Sequence, residues 1–103
     1  MIEGLPQWRC HKVVGAFKIH DIKPCPPGMR ENYYRVYPEL TMADKVPIVE
    51  VPLETFRART PDNSRPLRFP EEYIGGYLVQ YAGDGYLSWS PAKAFEDGYT
   101  RIE

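Results

Sequence analysis

The alternation of apolar and polar residues near the N-terminus predicts a first strand from Arg9 to Ile22. One face of this strand would carry Val13, Gly15, Phe17 and Ile19. The other face would carry Lys12, Val14, Ala16, Lys18 and His20. A period of two is the period of a β-strand. The proline-rich run at 23–28 ends it, because proline cannot donate to a strand ladder.

The middle of the chain indicates two further strands and a short helix. Asn32–Tyr37 is rich in aromatic residues, and Val46–Val51 is a third strand that Pro47 confines to an edge or margin of the sheet. Pro52 suits the first position of a helix that runs to about Arg59. Leu53 and Phe56 are three positions apart and would share its buried side.

The last quarter of the chain carries the clearest pattern. In residues 77–81, Tyr77, Val79 and Tyr81 alternate with Leu78 and Gln80, as in a strand. Gly83-Asp84-Gly85 suits the positive-φ positions of a hairpin turn, and residues 86–89 would form the second strand of the hairpin. Ser90 is then expected as the N-cap of a helix, Pro91 as its first residue and Gly98 as its C-terminal stop. The segment predicts a strand, a turn, a strand and a helix.

These elements predict a small single domain of the α+β class. Its antiparallel sheet would combine the first strand with the hairpin at 76–90, and one or two short helices, including Pro91–Asp97, would pack on it. The 103 residues fit one domain, 1–103, in which 1–8 is expected to be a flexible tail. The 11 prolines argue against a helical bundle, and the 8 tyrosines favour strands.

The net charge and the hydropathy of the chain limit the partners and the cellular compartment that we expect. The net charge of −1 disfavours nucleic-acid binding through bulk positive charge, and we expect no sequence-specific nucleic-acid partner. No apolar run approaches the ~18 residues of a membrane span, so no membrane partner is expected. The N-terminus lacks the basic and apolar regions of a secretory signal, which predicts a cytoplasmic protein with Cys10 and Cys25 reduced.

Metal binding and catalysis find little support in the sequence. The soft metal ligands are Cys10, His11, His20 and Cys25, but their spacing differs from the paired short spacings of zinc sites. A nucleophile would be Cys10 or one of the serines Ser88 and Ser90 with a histidine, although neighbours on a strand diverge. Asp84, Glu96 and Asp97 suit a turn and a solvated helix better than an acid pair. We therefore expect no metal, no cofactor and no enzymatic activity.

The strongest functional signal is a group of arginines around a proline-rich loop. Arg57, Arg59, Arg65 and Arg68 lie within twelve residues. A guanidinium is a planar fork that suits phosphates and carboxylates, and Tyr34 and Tyr37 are candidates for stacking beside it. The alternative is a solvated basic loop, which is the commoner role of such a run. Tyr and Arg together are also enriched in protein interfaces.

Three segments resemble small proteins encoded by bacteriophages and prophages. They are Gly-Gly-Tyr-Leu-Val-Gln-Tyr at 75–81, Asp-Gly-Tyr-Leu-Ser-Trp-Ser-Pro at 84–91 and Phe-Glu-Asp-Gly-Tyr-Thr-Arg-Ile at 95–102. The run from Cys10 to Ile19 is similar to the N-terminal strand of the same group. The resemblance implies a phage protein that acts in the cytoplasm of a bacterial host.

The function expected from this resemblance is non-enzymatic. Such a protein would bind and block a host protein, including a defence protein, and a homo-oligomer is compatible with that role. One alternative is a sponge that sequesters a phosphate-bearing nucleotide signal through arginines and aromatic side chains. A second alternative is a small hydrolase that uses Cys10 or a serine with a histidine.

Overall fold

The computed structural model describes residues 2, 4–9, 12–26, 28, 31–39, 46–57 and 68–102, without the side chain of Ile102. Within these residues the chain forms seven strands and two short helices. The strands are β1 Gln7–Arg9, β2 Val13–Pro24, β3 Tyr33–Pro38, β4 Val49–Pro52, β5 Tyr77–Tyr81, β6 Leu87–Ser90 and β7 Thr100–Ile102. The helices are α1 Glu54–Arg57, between β4 and β5, and α2 Ala92–Gly98, between β6 and β7.

All the strand pairs of this open sheet are antiparallel, and the long strand β2 is its centre. β1 and then β3 pair with one side of β2, and β5 pairs with the other side. Backbone hydrogen bonds show the two sides directly: Glu39 N–H donates to Lys18 O at 3.0 Å, whereas Ile19 N–H donates to Gly76 O at 2.9 Å. β4 extends the sheet beyond β3, β6 extends it beyond β5, and β7 extends it beyond β1.

A β-bulge in β2 keeps the apolar face of this strand continuous. The register with β3 shifts between Ile19 and Asp21, at His20. Ile19 and Ile22 are three residues apart, yet both are buried in the same hydrophobic cluster. The extra residue offsets the period of two, because a bulge places two residues opposite one.

The two faces of the sheet bury separate hydrophobic clusters. The first cluster includes Phe17, Val36, Leu78 and Trp89 from the strands and Phe56 from α1. Because α1 contacts both β4 and β6, at opposite margins of the sheet, the sheet curves around this cluster. The second cluster lies on the other face, under α2, and contains Trp8, Val14, Ala16, Tyr77, Val79 and Phe95.

The predicted fold class agrees with this arrangement at a coarse level, although strands outweigh helices. The core pairing of the first strand with the 76–90 hairpin is confirmed, since β2 pairs with β5 and β5 with β6. Trp89 of the hairpin and Phe95 of α2 are buried, at 3% and 1% exposed.

The N-terminal prediction of one strand from Arg9 to Ile22 was wrong. Gln7–Arg9 and Val13–Pro24 are two strands that pair with each other as a hairpin. Leu5 and Trp8, which lie in the segment expected to be a flexible tail, are buried. Leu5 packs against Gly15, where a Cβ would meet the Leu5 Cβ at 3.0 Å.

The C-terminal unit confirms the turn and corrects the helix caps. Gly83 and Gly85 have φ values of 93° and 75°, as the hairpin turn requires. The N-cap of α2 is Pro91, whose side chain has no acceptor, and no side-chain cap bond forms. The Ser90 hydroxyl, expected as the cap, instead donates to the Pro91 carbonyl at 3.3 Å. Gly98 is the last helical residue, and extended Tyr99 (φ −130°, ψ 145°) ends the helix and starts the approach to β7.

In the described part of the chain, no helix has the length and apolar character needed to cross a membrane.

Candidate functional site

The predicted arginine site can be followed only in part. Arg59 and Arg65 lie outside the described residues. Arg57, at the end of α1, and Arg68 are both exposed. The rings of Phe56 and Phe69, the residues next to them in sequence, are 5.3 Å apart, so the packing of these rings brings the two arginines to one region of the molecule. A role for this loop stays a prediction.

The two tyrosines assigned to that site lie on opposite faces of β3. The Tyr34 ring packs edge-on against Phe69 at 4.7 Å, next to Arg68, and it is partly buried against the first cluster. Tyr37 is three residues further along the strand, and side chains on a strand alternate. Its ring lies under the ammonium of Lys23, at 5.6 Å, on the face opposite Tyr34.

Tyr37 belongs to a surface that we call the outer ribbon face. It is the side of the β2–β3–β4 ribbon opposite the first cluster, and its residues are Asp21, Lys23, Tyr33, Arg35, Tyr37 and Glu50. Cross-strand partners share a face, and the register pairs Asp21 with Tyr37, Lys23 with Arg35, and Arg35 with Glu50. The helices pack elsewhere: Phe56 of α1 belongs to the first cluster and Phe95 of α2 to the second.

The charges of the outer ribbon face are paired with each other. The Arg35 Nε donates to Glu50 Oε2 at 3.1 Å, and the Lys23 Nζ lies 3.8 Å from Asp21 Oδ2. The hydrogen bond to Glu50 raises the pKa of the Arg35 guanidinium further above its ordinary value. The Arg35 and Glu50 side chains are about one-third exposed, at 32% and 33%. The face therefore combines planar groups with little net charge.

A second arrangement, which we call the cation–aromatic row, crosses the other half of the sheet. It consists of Lys12, Tyr81, Tyr86, Trp8 and Arg101. The register pairs Arg101 with Trp8, Trp8 with Val14, and Val14 with Tyr81, and the Tyr81 N–H donates to Tyr86 O at 3.0 Å. Arg101, Trp8, Tyr81 and Tyr86 therefore lie on one face of the sheet, with Val14 between Trp8 and Tyr81. Trp8 and Val14 are buried under α2, so the exposed members of the row lie on either side of that helix.

Each cation of the row lies over one of its rings. The Arg101 Cζ lies 5.9 Å from the centre of the Trp8 ring, and the Lys12 Nζ lies 4.9 Å from the centre of the Tyr81 ring. The rings of Tyr81 and Tyr86 are close to parallel, with 20° between their planes and 6.4 Å between their centres. The Tyr86 side chain is 52% exposed. Sequence reasoning missed the row, because it depends on pairing between residues near the two ends of the chain.

The polar contact between buried Tyr77 and Glu96 of α2 has a structural role. The Tyr77 hydroxyl donates to Glu96 Oε2 at 2.7 Å, and the same oxygen lies 3.8 Å from Lys18 Nζ. Burial, reinforced by the bond to Glu96, raises the pKa of Tyr77 well above its ordinary value. The phenol thus stays a donor and fixes α2 to the sheet.

The candidate nucleophiles and metal ligands do not come together in the described part. Cys10 and His11 lie outside it, His20 is exposed at the bulge, and Ser88 is a buried strand residue opposite Val79. Ser90 bonds its hydroxyl to a backbone carbonyl. Among the described residues, no group of three or more His, Cys, Asp or Glu could hold a metal ion.

The chain was compared with protein-family models, with curated proteins and with solved structures, and none of these comparisons gives a significant match.

Proposed function

We propose that this chain is a non-enzymatic, phage-encoded accessory protein that binds and blocks a host protein, and that it binds through the outer ribbon face. The observation that carries the proposal is the composition of that face. Tyr33, Tyr37 and Arg35 are residue types enriched in protein interfaces, and they lie together on a surface to which neither helix contributes its buried phenylalanine.

The pairing of charges supports a protein partner over a phosphate. The Arg35 guanidinium already bonds to Glu50, and the Lys23 ammonium lies beside Asp21. A phosphate would have to displace these carboxylates, whereas a protein surface can pack on the rings and add hydrogen bonds at the rim. The exposed Ile48, at the approach to β4, adds apolar area at the margin of the same ribbon.

Photocrosslinking in bacterial cells tests the proposal. A photoreactive phenylalanine analogue replaces Tyr37 in one variant and Lys93, on the exposed side of α2, in the control. We expect a discrete crosslinked host protein from position 37 only. Equal products from both positions would contradict the assignment of the face.

Binding of that host protein to purified variants measures the contribution of each residue. Tyr37→Ala and Arg35→Ala should each weaken binding about tenfold or more, as central interface residues do. Tyr86→Ala is the matched control, because it removes an exposed tyrosine from the opposite end of the sheet. The double change Arg35→Glu with Glu50→Arg preserves an ion pair and checks that a loss of binding does not come from unfolding. Unchanged affinity in Tyr37→Ala and Arg35→Ala would overturn the proposal.

A further inference from the structure

We propose that two copies of this chain associate through the outer edge of β4, the edge that does not face β3, and form a symmetric dimer. In the described part of the chain β4 is the last strand on its side of the sheet, and β3 is the strand with which it pairs. The inference goes beyond the proposed function, since it concerns the edge of the ribbon and not its outer face.

The backbone pattern of β4 shows which of its groups point away from β3. The Leu53 N–H donates to Asn32 O at 3.0 Å, in the same register as the paired strands. Because bonded and non-bonded pairs alternate in an antiparallel ladder, Val51 and Val49 also bond to β3. The N–H and the C=O of Glu50, which lies between them, therefore point away from β3.

Ile48 and Glu50 form a short window for pairing at this edge. The Ile48 C=O points away from β3, because a trans peptide bond holds it opposite the Val49 N–H. Pro47 and Pro52 lie on either side of the window and have no N–H to donate. Prolines commonly limit the pairing of edge strands. Here they leave the Glu50 N–H and the carbonyls of Ile48 and Glu50 between them.

This window is complementary to itself. In an antiparallel pair centred on Val49, the Glu50 N–H of each copy would donate to the Ile48 carbonyl of the other copy. One twofold axis generates both bonds, so the pairing closes with two copies. A register centred on Glu50 is less favourable, because it would place two carboxylates directly opposite each other.

The side chains of the window suit the same register. Val49 is buried in the first cluster, so the preceding Ile48 lies on the other side of the strand, where it is 54% exposed. In the dimer it would lie opposite Glu50 of the second copy and diagonal to the second Ile48, at the ~7–8 Å that long side chains can bridge. The Arg35 Nε bonds to Glu50 at 3.1 Å and compensates the charge of that carboxylate.

The size of the window limits the strength of the dimer. Pairing of two residues on each strand buries less surface than the roughly 1,200 Å² at which stable interfaces begin, so the association should be weak and should depend on concentration. Pairing at the edge continues the sheet from one copy into the other. It leaves both outer ribbon faces accessible and places them side by side.

Sedimentation equilibrium of the purified chain at micromolar to millimolar concentrations tests the inference. We expect the average mass to rise with concentration from 11.9 kDa toward twice that value. Glu50→Pro removes the outward N–H and should keep the protein monomeric. Glu50→Ala is the matched control, because it loses the same side chain, keeps the N–H and should still dimerise. Circular dichroism checks the fold of both variants, whose bonds from Val49 and Val51 to β3 are retained.

Substitutions of Ile48 test the register independently of the proline variant. Ile48→Lys places a cation opposite Glu50 of the second copy and should strengthen the dimer several-fold. Ile48→Asp places a like charge there and should weaken it. Association through unspecific apolar contact would be weakened by both substitutions, because both remove the same exposed apolar side chain.

Three results would overturn the inference: a monomer at every concentration, equal self-association of Glu50→Pro and the unmodified chain, or weakening by both substitutions of Ile48. Species larger than a dimer would also contradict a pair that closes on itself. Binding of the host protein is measured separately with Tyr37→Ala. A monomeric chain whose host binding is impaired by Tyr37→Ala removes the dimer and retains the proposed function, and a dimer without host binding does the reverse.

Discussion

At the scale of single residues, two glycines of this chain differ in what surrounds them. A Cβ on Gly76 would lie 2.5 Å from the Trp89 Nε1 and 2.7 Å from the Ser90 carbonyl oxygen, whereas a Cβ on Gly98 would meet nothing within 4 Å. Neither glycine has a positive φ, so the surrounding space decides the outcome. The absence of a side chain at 76 lets the Trp89 indole reach the Tyr73 carbonyl, to which it donates at 3.0 Å.

The substitutions Gly76→Ala and Gly98→Ala should therefore have opposite effects on the free energy of unfolding. Gly76→Ala displaces a buried indole, and overpacking of this kind costs about 1–3 kcal/mol. Gly98→Ala should raise the free energy of unfolding by about 0.4–1 kcal/mol, because alanine has less conformational freedom than glycine in the unfolded chain. Urea denaturation followed by circular dichroism gives both values. A neutral Gly76→Ala variant would mean that Trp89 packs differently.

At the scale of secondary structure, α2 is held to the sheet chiefly by one side chain. Phe95 is 1% exposed and contacts Trp8 edge-on at 4.9 Å and Tyr77 in a stacked arrangement at 4.3 Å. Lys93 and Ala94 of the same helix are exposed. A helix of seven residues does not form stably alone, so its packing determines whether it folds.

Phe95→Ala should destabilise the protein by about 3–5 kcal/mol, since it leaves a cavity between two aromatic rings. Lys93→Ala, two residues earlier on the exposed side of the helix, should change the free energy of unfolding by less than about 0.5 kcal/mol. Thermal and urea unfolding of both variants checks the difference. A Phe95→Ala cost no larger than that of the control would place this ring in solvent.

Local sequence signals predicted some of these elements and missed others. The β5–β6 hairpin was predictable because Gly83-Asp84-Gly85 marks a turn in the sequence and because Tyr77, Val79 and Tyr81 alternate with Leu78 and Gln80. The break between β1 and β2 falls at a Cys-His-Lys run that contains no turn residue, so the alternating pattern hid it. β7 has three residues and exists through its pairing with β1, which lies about ninety positions earlier in the chain.

At the candidate sites too, local patterns were predictable from the sequence and long-range contacts were not. Opposite faces for Tyr34 and Tyr37 follow from strand periodicity, and that signal was present in the sequence. The contact of Tyr34 with Phe69 and the alignment of Arg101 with Trp8 were not predictable, because they depend on tertiary pairing. The role of the loop with Arg59 and Arg65 remains a prediction, since these residues lie outside the described part.

At the scale of the whole molecule, β2 joins the two hydrophobic clusters into one unit. Phe17 and Ile19 enter the first cluster, and Val14 and Ala16 of the same strand enter the second. If either cluster loses its packing, β2 is no longer held in place, and the other cluster then loses the side chains that β2 contributes to it. Unfolding should be cooperative, as it is for most single domains of this size.

The two tryptophans allow a direct measurement, because Trp8 lies in the second cluster and Trp89 in the first. In each of the variants Trp8→Phe and Trp89→Phe, the remaining indole reports on one face of the sheet. We expect the midpoint of the fluorescence change to coincide with that of circular dichroism in both variants. Midpoints that separate by more than the error of the fit would show that the two faces unfold independently.

The pairing of β1 with β7 also has a consequence for folding during synthesis. Gln7–Arg9 is synthesised about ninety residues before Thr100–Ile102, the strand opposite it. The edge of β1 that β7 covers therefore has no partner until the ribosome has added the intervening chain and β7. Unpaired strand edges are the surfaces at which nascent chains associate with each other. If synthesis stops before residue 100, that edge stays unpaired. Truncated chains that lack β7 should therefore aggregate rather than fold into a smaller sheet.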